Sequence, residues 1–142
     1  VTPETLATIH QLYGAQSHFI DDGRAAEWAA TFSADGEFDS PTYPEPVRGT
    51  ADLTAFARRF FTAGREAGER SRHVLTNVFV AAAGAETATV HAYLQIVTTP
   101  VGGPSRLVRQ ATITDELVVA DGQWRIRRRV VKRDDAADGG RA

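Results

Sequence analysis

The chain has 142 residues, a length that predicts one domain with a proper core. Hydrophobic residues make up 42% and charged residues 24%, which excludes a disordered chain, a fibrous repeat and a membrane protein; no apolar run approaches the roughly 18–20 residues of a span. A net charge of −2 argues against a globally basic nucleic-acid binder, and the lack of cysteine excludes disulfides, thiolate metal sites and a cysteine nucleophile.

The first third reads as helical. Val1-Thr2-Pro3-Glu4 is a helix start, with Thr2 as cap and Pro3 in the first turn, and not a secretion signal. Leu6, Ile9, Leu12, Tyr13, Phe19 and Ile20 then recur at helical spacing. Asp21-Asp22-Gly23 breaks the pattern, and either aspartate can cap a short second helix carrying Ala25, Trp28, Ala29 and Phe32. Ala34 to Asp39 reads as a turn and a short strand. Ser40 to Gly49 holds three prolines and reads as a loop. Thr50 is expected to cap a third helix, with Leu53, Phe56, Ala57 and Phe60 on one face, ending near Gly64. Arg65 to Arg72 reads as an exposed charged loop.

The second half is rich in Val, Ile and Thr with partial alternation. It predicts strands over 72–82, 86–99, 105–120 and 123–133, the last two joined by an Asp121-Gly122 hairpin. Residues 1–133 are expected to form one domain and 134–142 a flexible polar tail. Helices first and long strands later predict an α+β fold, with three helices packed in a strongly curved antiparallel sheet. Curled around its helices, such a sheet makes a cone with a pocket at its mouth.

The landmarks Phe19-Ile20-Asp21-Asp22-Gly23, Trp28, Phe32 to Asp39, Gly49, Arg72 to Val78 and Asp121 to Ile126 occur in that order. Together they resemble the NTF2-like superfamily, in particular its SnoaL-like branch, over about residues 4 to 133. The resemblance implies a cone-shaped α+β barrel. It also implies functions that range from dehydratases, isomerases and polyketide cyclases to non-catalytic β subunits of ring-hydroxylating dioxygenases. By similarity to scytalone dehydratase it implies an acid/base pair of Asp21 and His73. That enzyme's two tyrosines fall at Ile20 and Ser40 here, and its second histidine has no counterpart, so the same substrate and reaction are not implied.

In an Asp21–His73 pair, the carboxylate fixes the imidazole tautomer and raises its basicity while the other ring nitrogen faces the substrate. The plain alternative is a helix-capping aspartate and a structural histidine. Tyr13 is an oxyanion donor or a core tyrosine. Trp28, Phe32, Phe56 and Phe60 are expected as core and pocket wall, and Tyr43 at the pocket mouth or exposed on its loop. His91, Tyr93 and Gln95 share one strand face, and Arg109, Ala111, Ile113 and Asp115 share another. Whichever face lines the cone contributes binding residues, and Arg109 suits a carboxylate or phenolate. Arg125, Arg127 and Arg129 are expected along one face of the last strand, with Arg128 opposite, paired with acids of neighbouring strands.

No metal-ligand spacing, P-loop, Rossmann fingerprint or nucleophile elbow is present in the sequence. The resemblance then implies a cofactor-independent enzyme of secondary metabolism. Its chemistry would be cyclisation, dehydration or isomerisation of a polyketide-like, apolar small molecule. The alternative is a non-catalytic ligand-binding or dioxygenase-β-like subunit. The resemblance also implies a homodimer through the sheet face, and a cytoplasmic protein with no nucleic-acid or membrane partner is expected. The chain lacks methionine and reads as trimmed or processed, and its 15 arginines to one lysine fit an actinomycete-like coding bias as well as a functional demand.

Overall fold

The structure, a computed structural model, describes residues 1–137. Helix α1 (Pro3–Asp21) starts as expected: the Thr2 hydroxyl accepts from the Thr5 N–H at 3.1 Å and Pro3 occupies the first turn. It ends in a glycine cap. Gly23 (φ 78°) donates to the Ile20 carbonyl, and the next residue, Arg24, donates to that of Phe19 at 2.8 Å. Neither aspartate caps the next helix. Asp21 is the last residue of α1, Asp22 is its C-cap, and α2 (Ala25–Ala30) opens at Arg24 without a side-chain cap. Helix α3 (Thr50–Glu66) is capped by Gly49 at φ 84°, so Thr50 is its first residue and not its cap.

The sheet has six strands in the order β2-β1-β6-β5-β4-β3 and stays unclosed. They are β1 (Phe32–Asp39), β2 (Val47–Arg48), β3 (Glu69–Ala83), β4 (Thr87–Pro100), β5 (Arg106–Ala120) and β6 (Gln123–Arg133). Strands β3 to β6 form the expected antiparallel meander, and both Asp121 and Gly122 adopt positive φ in the last hairpin. Several expectations need correction. Phe32 opens β1 instead of closing α2. The proline loop contains the two-residue β2, and Arg65 to Arg72 is not a loop, because α3 and β3 almost meet. Strand β1 runs parallel to β6, so the sheet is mixed.

Bulges curl this sheet. One in β3 lies between Thr76 and Phe79, where Asn77 takes φ 54°; another in β6 lies at Arg127, opposite the Glu116–Leu117 step. The helices sit in the resulting concavity. Ile9, Tyr13, Gln16 and Ile20, at steps of four, three and four, form the buried stripe of α1. Ile9, Tyr13 and Ile20 pack with Trp28, Phe32, Leu53, Phe56, Val90, Leu117 and Ile126 in the core. The expected polar tail begins at Asp134, whose N–H donates to the Gln110 carbonyl at 3.0 Å. The remainder of that tail, 138–142, lies outside the described residues. No helix among the described residues is long and apolar enough to cross a membrane.

Candidate active site

Between the helices and the concave sheet face lies a cavity of about 670 Å³, counted to its open mouth. Aromatic walls come from Trp28 (α2), Phe38 (β1), Tyr43 (the proline loop), and Phe56 and Phe60 (α3). Trp28 and Phe56 lie 5.7 Å apart by ring centroids, and Tyr43 meets Phe56 edge-on at 5.0 Å. Leu75, Leu94, Ile96 and Val131 supply the aliphatic floor from the sheet. Polar groups are few: Gln16, Ser17, Ser40, Thr42, His73, Arg109 and Arg129. Among the described residues, no carboxylate lines the cavity.

Asp21 and His73 meet. His73 Nδ1 is 2.7 Å from Asp21 Oδ1, and the His73 backbone N–H donates to Asp21 Oδ2 at 2.9 Å. The Asp21 and His73 side chains are only 6% and 14% exposed. The contact follows from the local chain: the glycine cap fixes where α1 stops, and β3 passes its end with His73 facing inward. Phe60 holds the imidazole edge-on at 4.9 Å. With Nδ1 occupied by the carboxylate, Nε2 is the nitrogen left for the pocket. Among the described residues no three His, Asp or Glu side chains converge as metal ligands would.

A second polar group is buried beneath the cavity. Arg129 grips Asp115 through Nε at 3.0 Å and Nη2 at 2.9 Å, and the Tyr13 hydroxyl donates to Asp115 Oδ2. Burial, reinforced by the Asp115 charge, pushes the Tyr13 phenol well above its usual pKa. Burial works against the Arg129 cation, but the Asp115 charge and hydrogen bonds outweigh it and hold the guanidinium above its usual value. Tyr43 is also raised by burial, with Arg109 and Arg59 pulling the other way.

The bulge at Arg127 explains why Arg129 belongs here. An unbroken strand would put Arg125, Arg127 and Arg129 on one face, as the sequence pattern implies. The extra residue resets the phase. Arg129 turns inward, while Arg128 turns outward toward Glu37 and Asp39 at 3.5 and 3.7 Å.

Of the other expected site residues, Trp28, Tyr43, Phe56, Phe60 and Arg109 line the cavity. Tyr13 and Phe32 do not. Tyr13 spends its hydroxyl on Asp115, and Phe32 is core, 5.0 Å from Trp28. His91 and Tyr93 lie on the outer sheet face and not in the pocket, because Ala92 and Leu94 take the inward positions of β4. Gln16, Ser17 and Arg129 are lining residues that the sequence pattern alone does not single out. A signal for Gln16 exists: it stands three residues after Tyr13 and four before Ile20, on the buried stripe.

The Gln16 amide is part of a short relay. Its Nε2 donates to Thr31 Oγ1 at 2.7 Å, and that hydroxyl donates to the Trp28 carbonyl at 2.6 Å.

A SnoaL-like domain profile matches residues 2–130. Among solved structures the chain is similar to Aln2 from a Streptomyces species, with 30% identity, 95% of this chain and 94% of that one covered, and a TM-score of 0.83. It is similar to ActVI-ORFA from Streptomyces coelicolor, with 25% identity, 95% and 98% coverage, and a TM-score of 0.84. It is also similar to a Catenulispora acidiphila protein solved in complex with S-DNPA, with 25% identity, 94% and 96% coverage, and a TM-score of 0.80. A search of curated proteins finds no match. The curled sheet over three helices is thus an NTF2-like fold, and the chain belongs to the SnoaL-like domain family.

Proposed function

We propose that this protein is a cofactor-independent acid/base enzyme acting on a polyketide-like small molecule in the apolar cavity. The observation that carries the reading is the buried Asp21–His73 contact at the cavity wall. Asp21 orients the ring, and His73 Nε2 takes a proton from a carbon beside a carbonyl or returns one to a leaving hydroxyl. Aldol-type cyclisation, dehydration beside a carbonyl and isomerisation through an enol all use that step. Tyr13 is not the oxyanion donor in this scheme, because its hydroxyl is committed to Asp115. Arg109 takes that place, as a cation at a wall whose described residues include no carboxylate. The Catenulispora acidiphila relative, solved with S-DNPA, supports a small-molecule role for this fold.

The second reading is a non-catalytic, dioxygenase-β-like subunit. Exposed Phe79 and Tyr93, 62% and 49% accessible, favour it by offering a docking face.

Solvent exchange separates the two. Wild-type protein with β-tetralone in deuterium oxide should accelerate exchange of the protons beside the carbonyl, read by NMR. His73→Ala should lower the rate by ~10²–10⁴-fold. A wild type no faster than His73→Ala would remove the enzyme reading.

A further inference from the structure

Two residues that line the cavity each keep a polar atom with no partner among the described residues. Gln16 Oε1 and Ser17 Oγ are both buried and unbonded, although both residues line the cavity. Gln16 is 1% exposed, so bulk water does not serve its oxygen. A buried acceptor without a donor is destabilising, and native proteins keep few of them.

The hydrogen-bond relay fixes which atom is left over. The Thr31 hydroxyl has one proton, and the Trp28 carbonyl, 2.6 Å away, can only accept it. Thr31 Oγ1 must therefore be the acceptor toward Gln16, and the atom bonded to it must be Nε2. The amide cannot turn over without setting two acceptors against each other. Gln16 thus presents a carbonyl oxygen, and only a hydrogen-bond donor satisfies it. Ser17, the next residue, adds a hydroxyl free to donate or accept.

The geometry points to Gln16 as a specificity-determining residue that reads a hydroxyl on the ligand. The matching substrate class is a hydroxylated aromatic or enolic ring system. Its π-faces suit Trp28 and Phe56, and its O–H donates to Gln16 Oε1. A ketone or an ether at that position offers only lone pairs and leaves Oε1 unbonded. Such sites discriminate strongly, because the wrong ligand leaves a buried polar group unpaired.

This inference rests on the reading of the cavity as the small-molecule site, and binding tests the two separately. The probes are β-naphthol and its methyl ether, which share a ring system and differ in the donor. Affinities are read by quenching of tryptophan fluorescence and by calorimetry. Wild type should prefer β-naphthol by about tenfold or more. Gln16→Leu should bring the two affinities within about twofold while keeping the ether bound. Thr31→Val removes the atom that orients the amide. It should reduce the preference to about threefold or less, without loss of either ligand. Equal binding of both probes by wild type, or an unchanged preference in both variants, overturns the hydroxyl assignment alone. Binding of neither probe overturns the cavity reading and this assignment with it.

Discussion

Removing the Asp115 carboxylate isolates a fully buried ion pair of the core. Asp115 is fully buried and accepts from Arg129 through two nitrogens and from the Tyr13 hydroxyl. Asp115→Ala leaves the Arg129 cation, 6% exposed, without its partner, and strands the phenol as well. Breaking a buried pair from one side costs about 3–5 kcal/mol. The stranded hydroxyl adds about 1–3 kcal/mol where no water reaches it, so the upper end of the first range is expected. With a urea m-value of about 2 kcal/mol/M, the midpoint should fall by about 2 M. The partner experiment removes all the polar groups together. Tyr13→Phe, Asp115→Leu and Arg129→Leu in one chain should lie within about 1–2 kcal/mol of wild type, since apolar replacement of a buried pair is often neutral. A loss below about 1 kcal/mol in Asp115→Ala would refute the reasoning. So would a triple variant less stable than the single one, because desolvation then would not oppose the pair.

Alkaline pH should reveal Tyr13 as a proton holder. Its phenol is raised in the folded chain above the usual value near 10, so above that pH the unfolded chain binds fewer protons than the folded one. Stability then falls as pH rises, at about 1.4 kcal/mol per unit from this one group. Tyr13→Phe should flatten the fall by that amount in urea titrations; an unchanged slope speaks against it. At Gly23 (φ 78°), a Cβ would stand 2.8–2.9 Å from the Phe61 ring. Gly23→Ala should cost about 1–3 kcal/mol in a thermal melt and shift the His73 imidazole resonance, and a melt within error of wild type would refute that. If a homodimer forms through the outer sheet face, Phe79→Asp with Tyr93→Arg should yield monomer by sedimentation. An unchanged mass would move the interface elsewhere.

The order of elements was legible because each carries its own local pattern: the Thr2-Pro3 start, the Asp121-Gly122 hairpin and the β-rich second half. The Asp21–His73 pair was legible only through family resemblance, since no spacing rule joins residues so far apart in the chain. The phase of β6 was not legible. Arg125 to Arg129 reads as a regular alternation, and a bulge depends on the partner strand, here the Glu116–Leu117 step of β5. The same limit hid Arg129 and the Tyr13–Asp115 contact. Gln16 is obscure for another reason: a polar residue on an apolar stripe reads as a boundary until its neighbours Thr31 and Trp28 are in place.

The parallel pairing of β1 with β6 sets an order of assembly. The β3–β6 meander closes through short hairpins, so its contacts need little loop entropy. Strand β1 is different: Phe32 pairs with Ile126, across most of the chain. Non-local pairing of this kind forms slowly. The helices and β1 therefore have no finished sheet to dock on until β6 has joined it. In refolding, strand signal should precede the fixed environment of Trp28, and the cavity, drawn from both halves, should form last.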